Sequence, residues 1–319
     1  MNTKSKINII VCGGNGFIGT NILKELVKKK NYNVFATYHK KYKNIKKVKW
    51  IKTNLLNKKK VNKILKNKDI VIQAAAITTG SKDVIKKPFI HVTDNVIMNT
   101  LLLRSAYENH VKHFIFLSCT VMYNSSNAFH SEKSRNLINE KSNYFGVGHM
   151  KMYIEKQCLF YSKLKRTKFS ILRHSNIFGP YDKFNENTSH VLPNFINKSL
   201  KSKKKFLIWG NGKSIRDFLF IEDLINCINV LIKKQKSKFE IFNVGSKEPI
   251  SITELAKTIL RVSNQKKIIE YIQNDYTIEN KIKIDTKKIK SLGWKPNYSL
   301  EEGIEKTINW YKKNIYNEK

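Results

Sequence analysis

Three glycines near the amino terminus form the first pattern in the chain that could do chemistry. Gly13, Gly16 and Gly19 keep a G-x-x-G-x-x-G spacing inside INIIVCGGNGFIGTNI, residues 7–22. The apolar run Ile7–Val11 stops at Gly13-Gly14, and the amphipathic series Phe17, Ile18, Ile22, Leu23, Leu26, Val27 follows. This order predicts a strand, a tight turn and a helix. The first glycine lets the backbone turn, the second lets a pyrophosphate approach, and the third seats the helix against the sheet. Amides of the turn and first helical residues (Asn15, Gly16, Phe17, Ile18) then face the phosphates, where the helix dipole favours negative charge. The chemistry implied is the binding of a dinucleotide.

The elements that must hold this turn follow along the chain. Strands are expected at Asn33–Tyr38, Val48–Ile51, Asp69–Ala76, His113–Leu117, Phe169–Arg173 and Glu240–Val244. Helices are expected at 61–65, 93–109, 147–163, 189–200, 218–232, 253–262 and 300–311, with a polar loop over 124–143. Strands alternating with helices predict an α/β Rossmann fold, a doubly wound parallel sheet with the cofactor beyond the carboxyl ends of its strands. Gly179-Pro180-Tyr181-Asp182 marks an exit from the first domain. The expected Rossmann domain is residues 1–176 plus 217–245, and the expected smaller α/β substrate-binding domain is 177–216 plus 246–319. Where the second strand ends, the sequence runs His39-Lys40-Lys41 with no carboxylate to meet a ribose hydroxyl. Cations there suit a 2′-phosphate, which favours NADP over NAD.

Composition limits the function classes. The chain has 319 residues and a formal net charge of +37, carried almost entirely by lysine spread over its whole length. A nucleic-acid binder concentrates its charge on one face and uses arginine or aromatic readers, so nucleic acid is not the expected partner. A field this positive still attracts anionic nucleotides. No apolar run is long enough to span a bilayer. Four widely spaced cysteines without a C-x-x-C pair give neither a metal site nor a disulfide framework and point to the reducing cytoplasm.

Late motifs extend this reading. They are Gly210-Asn211-Gly212, Arg216-Asp217-Phe218, Asp223, Phe242-Asn243-Val244-Gly245 and Leu292-Gly293-Trp294-Lys295-Pro296. With the glycine turn, they make the chain resemble the extended short-chain dehydrogenase/reductase superfamily of nucleotide-sugar enzymes, also called NAD-dependent epimerases/dehydratases. The stretches Asn176–Phe184 (NIFGPYDKF) and Ser189–Pro193 (SHVLP), and a gapless match over 95–123, are similar to its GDP-L-fucose synthase branch.

The resemblance implies a tyrosine and a lysine four residues later, on one helical face. The lysine binds the nicotinamide ribose and lowers the tyrosine pKa. The tyrosine exchanges a proton with the sugar while hydride moves. Lys151 stands at the lysine position, followed by Glu155, but four residues before it stands Val147. The serine position is Cys119, flanked by Ser118 and Thr120; the branch's cysteine position is Val121, and its histidine is retained as His190. By the same resemblance, Asn176 and Ile177 touch the cofactor, as does His39 at the end of the second strand. Arg216, Trp209, Lys198 and Asp275 match positions that hold the nucleotide and its phosphates.

Two readings stand. In one, Tyr144 replaces the missing tyrosine: seven residues before Lys151 it returns to nearly the same helical face, one turn beyond Val147. Cys119 or Thr120 then supplies the second hydrogen bond. In the other, the site has lost the parent step and the protein binds cofactor and nucleotide sugar as a regulator. The expected function is an NAD(P)-dependent epimerase, dehydratase or reductase acting on a nucleoside-diphosphate hexose, GDP-linked, for glycan precursors. GDP-L-fucose synthase proper is the alternative within enzymes, and a homodimer is expected.

Overall fold

The structure, a computed structural model, describes residues 5–78, 81–134, 137–186, 188–202, 204–273 and 278–316. Seven strands form one parallel sheet: β1 (Ile7–Cys12), β2 (Tyr32–Tyr38), β3 (Val48–Lys52), β4 (Ile70–Gln73), β5 (His113–Leu117), β6 (Lys168–His174) and β7 (Phe239–Val244). Their spatial order is β7-β6-β5-β4-β1-β2-β3. The chain order reverses between β1 and β4, which opens a crevice at the carboxyl ends of those strands.

Helices cover both faces, so the central strands read as continuous apolar runs. All four residues of β4 and all five of β5 are buried. One core lies under helix α1 (Phe17–Leu26) and joins Ile9, Val11, Ile72, Ile115 and Leu172 to residues far along the chain. The opposite face of the sheet packs on α2 (Lys58–Leu65), α3 (Thr93–Glu108) and α4 (Phe145–Lys163) through Leu65, Leu102, Leu103, Phe114 and Ile154. This is the expected Rossmann-type α/β fold. No helix among the described residues is long and apolar enough to cross a membrane.

Beyond β6 the chain alternates between the sheet and a smaller set of strand pairs, and three further helices matter here: α5 (Val191–Lys201), α6 (Ile221–Lys234) and α7 (Ile252–Val262). Lys205–Trp209 pairs in parallel with Ile268–Ile272, and Ile215–Arg216 pairs with Ile250–Ser251. The late tryptophan motif is a strap. Trp294 is buried and donates its indole N–H to the Asp223 carbonyl at 3.1 Å, while the Asp223 carboxylate accepts from the Asn297 and Tyr298 amides at 2.7 and 3.3 Å.

The structure corrects several expected boundaries. β4 stops at Gln73 instead of Ala76, because the Gln73 side-chain amide bonds to both the N–H and the carbonyl of Ala75 and takes them from the ladder. The helix expected from Phe218 begins at Ile221. Phe218, Leu219 and Phe220 are all buried, and they pair in parallel with Asn176–Phe178, so this apolar run is a strand. Helix α4 starts at Phe145, two residues earlier than expected, with Tyr144 as its cap residue. In the loop expected over 124–143, Phe129–His130 forms a short parallel pair with Lys283–Ile284, a long-range pairing that local pattern does not show.

Candidate active site

The glycine turn is organised by main-chain contacts. Gly13 has φ +78°, which L side chains rarely adopt, and a Cβ on it would lie 2.6 Å from the Ala75 Cα. Its N–H donates to Thr37 Oγ1 at 2.9 Å, and the Gly14 N–H donates to the Thr37 carbonyl at 3.0 Å. A Cβ on Gly19 would sit 2.2 Å from the Gly13 carbonyl oxygen, so helix and turn touch backbone to backbone. Gly16 differs. It is exposed at the start of α1, and a Cβ there would meet only the Gly13 oxygen at 3.4 Å. The turn therefore closes tightly at both ends, the Gly16 N–H donating to the Gly13 carbonyl at 3.1 Å, and stays open where a pyrophosphate would approach the amides of Phe17 and Ile18. These residues fit a dinucleotide.

At the end of β5, Lys151 reaches from α4 to donate to the Leu117 carbonyl at 2.9 Å, and its ammonium lies 4.8 Å from the Phe116 ring centre. Burial lowers the Lys151 pKa, against the opposing pull of Cys119 and Glu155. Burial raises the Cys119 thiol, an effect Lys151 opposes. These two groups are thus electrostatic neighbours; Thr120, also half-buried, accepts from the Tyr123 amide at 3.1 Å through its carbonyl.

One turn after Lys151, Glu155 is buried and anchors a polar network. It accepts from Ser118 Oγ at 2.7 Å and pairs with the Arg173 guanidinium at 2.6 Å. Arg173 Nη1 also donates to the Tyr123 hydroxyl at 2.9 Å, which donates to Asn243 Oδ1 at 2.8 Å. This chain of bonds ties α4 to β6, β7 and the loop after β5. Sequence reasoning noted Glu155 only as a matching position and missed the network, since its members lie on four separate segments.

Val147 is half-buried and packs on the apolar core beneath α4. Tyr144 is half-buried at the cap of that helix, where its carbonyl accepts from Gly148 at 2.8 Å. It lines a cavity of about 230 Å³ together with Val121, Tyr123, Ile138, Lys141 and Asn280. Tyr144 and Val121 thus share a cavity wall.

His174, at the end of β6, was not singled out from sequence. Its Nδ1 lies 2.8 Å from the Ser175 carbonyl, which can only accept, so Nδ1 carries the proton and Nε2 is the free acceptor. Burial first, then the charges of Lys151 and His190, push its imidazole down to about 4. His190 is the cap residue of α5 and keeps an open face. Desolvation within the cleft, then Arg216 and Lys183, hold it below its ordinary value. Lys151 and Arg216 are therefore the cations of the crevice, and His174 and His190 stand between them as neutral imidazoles.

Arg216 is half-buried; its Nη2 donates to the Ile278 carbonyl at 3.4 Å, while its buried Nε has no partner among the described residues. Trp209 is 41% exposed at a strand end, and the Lys198 ammonium lies 5.6 Å from its ring centre while donating to the Leu207 carbonyl at 3.1 Å. Asn176 spends its side-chain amide on the Asp217 carbonyl at 3.0 Å, and Ile177 is buried beside it. His39 is exposed. Asp275 lies outside the described residues.

A family model described as the NAD dependent epimerase/dehydratase family matches residues 9–245. The chain belongs to that family. Members are NAD-dependent enzymes of nucleotide-sugar metabolism. Among similar proteins, a dTDP-D-glucose 4,6-dehydratase of Dictyostelium discoideum is 29% identical, covering 98% of this chain and 84% of that one. A GDP-L-fucose synthase of Sinorhizobium fredii is also 29% identical, covering 96% of each, and a GDP-L-colitose synthase of Yersinia pseudotuberculosis is 27% identical, covering 96% and 98%. The solved structure of a UDP-glucose 4-epimerase from Thermotoga maritima superposes with a TM-score of 0.86 at 24% identity, covering 97% of this chain and all of that one, which establishes the shared fold.

Proposed function

We propose that this epimerase/dehydratase family member uses NADP(H) and acts on a GDP-linked hexose, in the cytoplasm, through an altered active site. The observation that carries the reading is Lys151, with its ammonium on the Leu117 carbonyl and Cys119 and His174 as its electrostatic neighbours, at the strand ends facing the crevice. The GDP-hexose class is supported by the NIFGPYDKF and SHVLP stretches and by the GDP-L-fucose and GDP-L-colitose synthases among the relatives. Free thiols on all four cysteines suit a reducing compartment.

When bound, the nicotinamide would take up or return a hydride at the sugar ring. Lys151 would hold its ribose. Gly13, Asn15, Gly16, Phe17, Ile18 and Gly19 would cradle the pyrophosphate, with His39, Asn176 and Ile177 further along the cofactor. Tyr144, or Cys119 with Thr120, would exchange the proton, and His190 would serve the opposite face of the sugar. In the substrate part, 177–216 plus 246–319, Arg216 would grip the diphosphate with Lys198, and Trp209 and Asp275 would hold the nucleoside; a planar guanidinium suits a pyrophosphate. A homodimer is supported by Phe145, Tyr153 and Phe160, exposed within one face of α4.

A second reading is favoured by the packing of Val147 on the core, which leaves an apolar wall where the family's phenol would stand: a protein that binds cofactor and sugar without turnover. Val121 and Val147 count against a fucose synthase proper. The test incubates the protein with NADP⁺ or NADPH and a panel of GDP-, UDP- and dTDP-hexoses, following absorbance and product mass. Turnover confined to GDP sugars is expected, and turnover only of UDP or dTDP sugars overturns the GDP assignment. Tight binding without turnover selects the second reading. With an active substrate, Tyr144→Phe should cost on the order of 10²–10⁴ in rate, the scale of one general acid–base group; a near-normal variant shows that Tyr144 only packs.

A further inference from the structure

The loop after β2 contains six basic residues, His39, Lys40, Lys41, Lys43, Lys46 and Lys47, and among the described residues only Lys43 is hydrogen-bonded to the glycine turn and α1. His39, Lys40 and Lys41 are exposed and make no hydrogen bond to the turn among the described residues. Lys43 is tied to it at both ends. Its main-chain N–H donates to Asn15 Oδ1 at 3.0 Å, and its ammonium lies 3.4 Å from Thr20 Oγ1 in the second turn of α1. The same ammonium stands 5.2 Å from the ring centre of Tyr181, with the Lys24 ammonium 4.9 Å from that ring. Tyr181 is fixed there because Asn21 donates to the Pro180 carbonyl at 2.8 Å. Among the described residues neither lysine has a carboxylate within ion-pair distance. Two ammonium groups thus share one phenol ring without an anion.

The adenosine ribose of a dinucleotide held by this turn lies over the carboxyl end of β2, where residues about twenty after the glycines discriminate a ribose hydroxyl from its phosphate. Lys43 meets that requirement of position, and Asn15, the turn residue that holds it, lies between it and the pyrophosphate amides. We propose that Lys43, positioned by Asn15 and Thr20 and flanked by Lys24, is the residue that recognises the 2′-phosphate of NADP(H). The inference rests on the reading that the chain takes NADP(H), and moves the discriminating contact from His39-Lys40-Lys41 to a lysine that is already oriented. A phosphate monoester near neutral pH carries close to two negative charges, so it supplies the anion that the lysine pair lacks. Desolvation and the nearby Lys24 lower the Lys43 pKa, and the charge of a bound dianion would oppose both effects by favouring the ammonium.

The experiment measures binding and needs no substrate. NADPH and NADH are titrated into wild type, Lys43→Met and, as a control in the same loop, Lys46→Met by nicotinamide fluorescence, with 2′,5′-ADP and 5′-AMP as competitors that lack the nicotinamide. Wild type should prefer NADPH. Lys43→Met should lower the NADPH-to-NADH affinity ratio roughly 10- to 100-fold, as expected for losing one hydrogen bond to a charged group, and should remove the preference for 2′,5′-ADP. Lys46→Met, at an exposed lysine of the same loop, should keep the wild-type ratio. A Lys43→Met protein that melts normally and keeps the ratio overturns the Lys43 assignment while leaving the NADP reading in place. A wild type with no preference for NADPH overturns the NADP reading, and the Lys43 assignment falls with it.

Discussion

At the glycine turn the contacts that matter are main-chain ones. Gly13, Gly14 and Thr37 close the loop by amide hydrogen bonds, and Gly19 meets the Gly13 carbonyl directly. At the end of β5 the geometry is instead set by side chains, with Ser118 and Tyr123 from the loop after β5, Glu155 from α4, Arg173 from β6 and Asn243 from β7. A backbone site tolerates almost any neighbouring side chain but no extra Cβ. A side-chain site tolerates backbone variation but fails when one partner leaves a charge buried alone. The same crevice is thus bounded by two regions with opposite sensitivities, which lets the chemical end diverge while the cofactor end stays as it is.

The largest expected effect lies in the network. Glu155→Ala leaves the Arg173 guanidinium, 8% exposed, without its carboxylate, and removing one partner of a buried pair costs about 3–5 kcal/mol. Urea unfolding of the variant should show this loss together with weakened cofactor binding, because Lys151 sits one turn away on the same helix. A loss below about 1 kcal/mol would show that Arg173 finds other acceptors, and the contrast between the two regions would weaken.

Gly19→Ala comes next. The added Cβ would lie 2.2 Å from a backbone oxygen that no rotamer change can move, an overpacking cost of about 3 kcal/mol. Affinity for NADH and NADPH should fall together by at least tenfold, since pyrophosphate contact is common to both. Gly16→Ala, with only a 3.4 Å contact, should fold normally and lose cofactor affinity alone. If both variants behave alike, the turn is not divided into a packed end and an open centre.

The two regions also differed in how far they could be read from sequence. The glycine spacing, the alternation of strands and helices and the Gly-Asn-Gly and Trp294 motifs are local patterns, and local geometry is what they specify. Glu155 is different. A carboxylate four residues after a lysine is what many solvated helices show, and its burial depends on Arg173 arriving from β6. His174 was hidden likewise, in a strand ending whose neighbours Lys151 and His190 come from separate helices. The strand Phe218–Phe220 was read as helix because three consecutive apolar residues carry no period, and only the pairing with Asn176–Phe178 decides the matter.

The smallest expected effect separates the regions by pH. The His174 imidazole is held at about 4 in the folded protein against 6.5 ordinarily. Between those values the unfolded chain binds a proton that the folded chain does not, so acid favours unfolding. The contribution is whole above pH 6.5, shrinks as pH falls towards 4 and is then spent, at most about 1.4 kcal/mol per pH unit. Relative to wild type, His174→Gln should therefore gain about 1–2 kcal/mol between pH 7 and pH 5, read from paired urea titrations; glutamine can still donate to the Ser175 carbonyl. Parallel curves for the two proteins would mean that His174 is protonated as easily folded as unfolded, and that neither burial nor the Lys151 ammonium acts on it. A converging pair would localise the acid sensitivity to the chemical end, because the glycine turn contains no titrating side chain between Gly13 and Gly19.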